Sequence, residues 1–333
     1  MTEGLKERAR RLGRDLRRAG KSSRTLVRLY EGLSGQRRRA YLELDRLRSR
    51  LAGGGIRAGG IDPAKMVWIF GSGRSGSTWL RSMMGEIGGA RVWEEPMVGR
   101  LFGEFYAWAP KENRRSADFI MGDPIRRGWV RSIRNFVLDG ASYSNPRLGA
   151  DEYLIVKEPN GSVGASLIME ALPESRMILL IRDPRDVVAS VLDAAMEGGW
   201  LYESRNGGRA GKRPNAFVGM RARAYRRGAE NASRAYDDHR GPKALVLYED
   251  LLADTAGCLR RIYSELRIPV GEAELARVAE RHSWKNVPAG EKGRGKFYRK
   301  GTPGGWREDL TPRQAEVVEK ITASLLERFY PEG

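Results

Sequence analysis

The sequence predicts an α/β domain built as a doubly wound, mostly parallel sheet with helices on both faces. Three observations predict it. Five short apolar runs recur along the chain, helix-compatible stretches separate them, and the first run passes directly into a glycine and hydroxyl cluster that opens a helix. At 333 residues the chain has room for one large domain of this kind and an appendage. No internal repeat is visible.

The appendage comes first. Residues 1–60 hold 17 Lys/Arg against 6 Asp/Glu, which is most of the net charge of +18. Leu5, Leu12, Leu16, Leu26, Leu29 and Leu33 give a sparse apolar stripe, so residues 1–52 read as a basic helical extension of two or three amphipathic helices. It is either a solvated extension or an arm for an anionic membrane surface or an acidic partner; nucleic-acid binding has no motif behind it. Residues 53–60 read as a glycine-rich linker, and the folded domain spans 61–333. Cys258 is the only cysteine, which excludes an intrachain disulfide and fits a reducing compartment. Without a membrane-length apolar run or the apolar core of a secretory signal, the expected protein is cytoplasmic, with peripheral membrane contact open to the basic segment.

The first strand is Met66–Phe70, followed by Gly71-Ser72-Gly73-Arg74-Ser75-Gly76-Ser77-Thr78 and the helix pattern from Trp79. Strand, tight loop and helix N-terminus together form an anion cradle. The first helical amides lack intrahelical acceptors, the glycines admit an oxyanion close to the backbone, and Arg74, Ser77 and Thr78 add donors. Ala90–Trp93 is a second strand running into Glu94-Glu95-Pro96, where the proline keeps Glu95 extended. In segment 97–150, Phe102, Phe105, Tyr106, Trp108 and Trp129 are read as core, with an acceptor pocket as the alternative. Tyr153–Val156 and Arg176–Ile181 are the third and fourth strands, ending in Lys157-Glu158-Pro159 and Arg182-Asp183-Pro184. Residues 198–215 read as a mobile excursion and a candidate substrate lid. A long polar helix from Phe217 to Asp237 precedes a fifth strand, Ala244–Tyr248.

The ATP-binding loop has the same geometry but places a lysine after its last glycine; here that position is Ser77. The segment Ser75–Trp79 instead resembles the 5′-phosphosulfate loop of sulfotransferases, which use 3′-phosphoadenosine 5′-phosphosulfate (PAPS) and release 3′,5′-bisphosphoadenosine (PAP). Three later segments resemble the same superfamily in its order, over roughly residues 61–310. Arg182 and Ser190 resemble the 3′-phosphate pair; Tyr248 in Leu247-Tyr248-Glu249-Asp250-Leu251 resembles the tyrosine near the adenine. Arg299-Lys300-Gly301 resembles a second contact to the 3′-phosphate, preceded by His282-Ser283-Trp284, whose Ser283 and Trp284 join the nucleotide set. The resemblance implies a nucleotide site of Gly73, Arg74, Ser75, Gly76, Ser77, Thr78, Trp79, Arg182, Ser190, Tyr248, Ser283, Trp284, Arg299, Lys300 and Gly301.

It also implies a mechanism without a metal, in which Arg74 and Lys157 stabilise the leaving phosphate. Family members of the cytosolic type use a histidine two residues after the equivalent lysine, but Pro159 stands there. Glutamate-using branches place the base after the second strand, where Glu95 lies, provided burial raises its pKa toward neutrality. Glu94 and Glu158 are the alternatives. The expected activity is sulfonate transfer to a carbohydrate, glycolipid or other small-molecule hydroxyl. An ATP-dependent kinase with a divergent loop and a non-catalytic module for anionic surfaces are the competing functions.

Overall fold

The computed structural model describes residues 61–202, 207–293, 296 and 300–331, so the expectations for the basic extension, the linker and Arg299 fall outside the described residues. Five strands form one all-parallel sheet. They are β1 (Met66–Phe70), β2 (Ala90–Glu94), β3 (Tyr153–Lys157), β4 (Arg176–Ile181) and β5 (Lys243–Leu247), in the order β2-β3-β1-β4-β5. The doubly wound expectation holds, and the strand boundaries shift by at most one residue from those read in the sequence.

The principal helices are α1 (Ser77–Glu86), α2 (Val98–Trp108), α3 (Arg126–Ser144), α4 (Ala165–Ala171), α5 (Pro184–Ala195), α6 (Pro214–Asp238), α7 (Tyr248–Ala253), α8 (Thr255–Glu265), α9 (Glu272–Arg281) and α10 (Pro312–Phe329). Side-chain alternation along β1 assigns them to faces. Met66, Trp68 and Phe70 pack into one core with residues of α3, α4, α6 and α10, while Val67 and Ile69 pack into the opposite core with residues of α1, α8 and α9. All five β1 residues are buried, as a central strand covered on both faces requires. The chain leaves β1 toward one face and leaves β3 and β4 toward the other. That divergence opens a crevice at the carboxyl ends of β1 and β3, the place where open α/β sheets bind ligands.

One side-chain staple and one glycine crossing hold that crevice open. The buried Ser162 hydroxyl accepts from the Gly71 amide at 2.9 Å and donates to the Gly71 carbonyl at 2.8 Å, tying the turn after β3 to the end of β1. Beside it α2 crosses the same turn through Gly99 and Gly103; a Cβ on Gly103 would lie 2.5 Å from the Gly164 Cα. Because α2 docks by this glycine edge, Leu101, Phe105 and Trp108 point away. Trp129 is buried and Phe102 and Tyr106 pack on the core, but Phe105 is 51% and Trp108 74% exposed, which corrects the reading of those two as core. The glycine-rich stretch after α5 contains a short helix, Gly207–Lys212, whose Ala210 is buried in a third cluster with residues of α5, α6 and α10. No helix among the described residues is long and apolar enough to cross a membrane.

The crossing generates a prediction. Gly103→Ala inserts a methyl group against backbone that cannot rotate away, and it should lower unfolding free energy by about 1–3 kcal/mol. Chemical denaturation reads this; a change within about 0.5 kcal/mol, as at an indifferent surface site, contradicts the close approach.

Candidate active site

The phosphate-loop residues follow β1 directly. Gly76 caps α1 in a left-handed conformation, φ 90°, and a Cβ there would stand 2.5 Å from the Tyr248 ring. Glycine is demanded by both the backbone and the neighbour. The first α1 hydrogen bond runs from the Leu80 amide to the Gly76 carbonyl at 3.0 Å, so the amides of Ser77, Thr78 and Trp79 precede the helical ladder. Arg74 also has positive φ, 74°, an uncommon conformation for a side-chain-bearing residue. Its Nε donates to the Ser190 hydroxyl at 3.0 Å, and its guanidinium lies 5.7 Å from the Trp200 ring centre. Ser75 is different from its neighbours: it is buried, and its hydroxyl donates back to the Ser72 carbonyl at 2.6 Å, shaping the loop instead of facing the cavity.

A cavity of about 540 Å³ opens over this loop. Of the residues assigned to nucleotide contact from sequence, Gly73, Arg74, Gly76, Ser77, Thr78, Trp79, Arg182, Ser190, Tyr248, Trp284, Lys300 and Gly301 line it; Ser75 and Ser283 do not. Arg182 is the first residue after β4 and Tyr248 the first after β5, so adjacent strand ends bring them together. The Arg182 guanidinium lies 4.2 Å from the Tyr248 ring centre and donates to the Arg74 carbonyl at 3.1 Å, while its buried Nε has no partner. Arg182 does not pair with Asp183, which instead caps α5 and binds Arg185 at 2.8 Å. Trp79 meets Tyr248 edge-on at 6.2 Å and donates its indole N–H to the His282 carbonyl at 2.8 Å.

The turn carrying Lys300 and Gly301 is fastened by a residue that sequence reasoning missed. Buried Asp186, in the first turn of α5, accepts from the amides of Gly304 at 2.8 Å and Trp306 at 2.9 Å. Burial pushes its carboxyl up, against the Arg182 charge and those two amides. The signal was present in Asp183-Pro184-Arg185-Asp186, where a second acid inside the helix start had no assigned task. Lys300 pairs with Glu308 at 2.7 Å and Asp309 at 3.1 Å while lining the cavity. A Cβ on Gly301, φ 63°, would strike the Trp284 ring.

Lys157 and Glu95 line the same cavity. Parallel register places Lys157 beside Glu94. Its buried ammonium donates to Glu94 at 2.7 Å and to Glu95 at 2.6 Å, and Asn160 donates to the second Glu95 oxygen at 2.8 Å. Glu95 adopts φ 42° and, unlike Glu94 and Glu158, lines the cavity; Glu94 turns to Arg81 at 2.8 Å. Burial would raise the Glu95 pKa, yet bonds from Lys157 and Asn160 and the charges of Lys157 and Arg81 hold it below the usual carboxylate range. This overturns the condition that burial lifts Glu95 toward neutrality: the residue is an ionised acceptor, kept so by its lysine.

Glu158 has the opposite character. It is fully buried, accepts from the amides of Met97 at 2.9 Å and Gly99 at 3.0 Å, and burial raises its pKa to about 7. Lying off the cavity, it anchors the loop that carries Glu95 to the end of β3. The two histidines are also occupied, His239 by the Ser175 carbonyl at 2.8 Å and His282 by Glu86 at 2.6 Å. Asn160 and Arg221 are further cavity-lining residues that the sequence reading passed over. Arg221 could have been found, since it follows Phe217 and precedes Tyr225 by four residues each and so shares their buried helix face.

Glu158 makes a pH prediction. Its pKa is higher folded, about 7, than the ordinary 4.5, so the folded state binds the proton more tightly between those values. The stabilisation is full at the acid end and is lost as pH rises through about 7. Glu158→Gln should remove this slope, a difference on the order of 3 kcal/mol across the window. Denaturation at several pH values checks it; parallel profiles for the two proteins contradict it.

Comparison with known proteins agrees with this geometry. Residues 67–272 match the model of the sulfotransferase family. Mouse sulfotransferase SULT7A1, solved with PAP, is similar in fold with a TM-score of 0.50 and 14% identity over 80% of this chain and 86% of that one. Sulfotransferase STF9 from Mycobacterium avium gives a TM-score of 0.51 and 15% identity over 80% and 77% of the two chains. No curated protein matches the sequence significantly. With the family match covering well over half its length and its loop, strand ends and cavity arranged as described, the chain belongs to the sulfotransferase family.

Proposed function

We propose that the protein transfers a sulfonate from PAPS to the hydroxyl of a small-molecule or glycan acceptor. The observation that carries this reading is that Arg74, Arg182, Ser190 and Lys300 line one cavity together with Lys157 and Glu95. The residues suit such a donor. The unpartnered Arg182 Nε and the Ser190 hydroxyl suit a 3′-phosphate, and the Trp79, Tyr248 and Trp284 rings suit a purine. The PAP carried by the mouse structure supports the same donor. The ATP alternative would require the lysine that Ser77 replaces.

The donor supplies a sulfonate already activated by a phosphate leaving group. Loop amides and Arg74 then face the charge that develops on the leaving side, in a partly water-excluded cavity where fixed donors act strongly. Lys157, which lines the same cavity, is the cation assigned to the bridging oxygen. Glu95, ionised before the reaction, takes the acceptor hydroxyl proton as bonding to sulfur makes that proton acidic; its lowered pKa makes it a weaker base, which its fixed position beside Lys157 offsets. Because one ammonium holds both carboxylates, proton acceptor and leaving-group cation remain hydrogen-bond neighbours.

Incubation with PAPS and a panel of hydroxyl compounds should yield PAP and a sulfated product in equal amounts, read by mass spectrometry. Glu95→Gln and Lys157→Ala should each lower kcat by roughly a hundredfold or more while PAP affinity changes only a few-fold. Full turnover in both variants contradicts the assigned roles.

A further inference from the structure

The cavity carries one cation more than the donor uses. Among the described residues its charged lining is Arg74, Lys157, Arg182, Arg221 and Lys300 against a single carboxylate, Glu95. Four of these cations belong to the loop after β1, to the ends of β3 and β4 or to the 300–301 turn, where the proposed donor contacts lie. Arg221 does not: it projects from α6, one turn beyond Phe217, and shares the cavity wall with Val191, Ala195, Trp200 and Leu201. Those neighbours are apolar, and Glu95 lines the same cavity.

Arg221 is also unsatisfied. Its Nε is buried without a hydrogen-bond partner, and none of its nitrogens forms an ion pair among the described residues. Burial pulls its pKa down with no carboxylate opposing it. That Nε is shielded from water with nothing to accept from it, while the residue as a whole is only half-buried and lines the cavity, where an incoming anion can pair with it. A smaller cavity of about 140 Å³ shares Arg221, Gly73 and Asn160 with the larger one; its charged lining is Arg221, Arg227 and Glu104, so cations outnumber the carboxylate there too.

We infer that Arg221 reads an oxyanion substituent, a carboxylate or phosphate, on the acceptor. The acceptor is then an amphipathic hydroxyl compound: its apolar body lies along Val191, Trp200, Leu201 and Phe217, its anionic group meets the Arg221 fork, and its hydroxyl reaches Glu95. The inference rests on the proposed sulfotransfer and narrows its substrate class.

The test uses the full chain saturated with PAP and calorimetric titration of ω-hydroxy fatty acids of graded length, the matching methyl esters and the matching ω-hydroxyalkyl phosphates. At the best length the acid or the phosphate should bind at least roughly tenfold more tightly than the ester, the contribution of a charge-assisted bond; which of the two binds better identifies the oxyanion. Arg221→Gln should abolish that preference and Arg221→Lys should retain part of it, both with wild-type PAP affinity and melting temperature. Equal binding of acid, phosphate and ester, no binding of any anion, or a preference that survives in a folded Arg221→Gln overturns the inference. So does a loss of PAP affinity in both variants, which would assign Arg221 to the nucleotide. If wild-type protein fails to bind PAP, the sulfotransfer reading itself falls.

Discussion

The Arg182 guanidinium joins three strand ends. It follows β4, donates to the Arg74 carbonyl in the loop after β1, and packs against the Tyr248 ring that follows β5. A buried contact of this kind between a cation and a ring is worth about 2 kcal/mol, but its larger effect is geometric. Tyr248 fills the space that a side chain at position 76 would need, and Gly76 then sets the left-handed turn that starts α1. Loop, arginine and ring therefore have one mutual arrangement. Tyr225 extends it to the helical layer by donating to the Arg182 carbonyl at 2.6 Å.

The Lys157 and Glu95 lining obeys a different constraint. A lysine buried at the end of β3 must find negative charge, and parallel register supplies Glu94 beside it while the left-handed bend at Glu95 supplies a second carboxylate. The Glu158 carboxyl, two amides and the Gly99–Gly103 crossing hold that bend in place. Glu95 and Lys157 are thus set by the architecture that joins β2 to β3. Backbone strain at Arg74 and Glu95 sits on either side of the crevice, where surrounding contacts can sustain it.

Much of this was legible before any coordinates. Apolar runs and a glycine-rich turn gave all five strands, because strands buried on both faces need continuous apolar sequence and the loop needs glycine at fixed places. Arg182, Ser190, Tyr248 and Lys300 were singled out because their segments resemble those of sulfotransferases, and all four line the cavity, Arg182 and Tyr248 directly after strand ends and Ser190 on α5. Missed features were those that depend on which surfaces meet. Nothing local shows that α2 docks by Gly99 and Gly103, which leaves Phe105 and Trp108 exposed. The pKa of Glu95 depended on a lysine 62 positions away, and it moved opposite to the direction that burial alone implied. Asp186 looked like one acid among several until the 304–306 amides closed on it.

The central claim is that Arg182 and its neighbours form a site for a second phosphate on an adenosine nucleotide. Calorimetric titration of wild-type protein and Arg182→Ala with PAP, adenosine 5′-phosphate and ATP with magnesium tests it most directly. The account predicts metal-independent binding of PAP roughly a hundredfold tighter than adenosine 5′-phosphate, from two or more charge-assisted bonds, and a difference that largely disappears in the variant. Equal affinity for the two nucleotides, or tighter binding of ATP with magnesium, would contradict it.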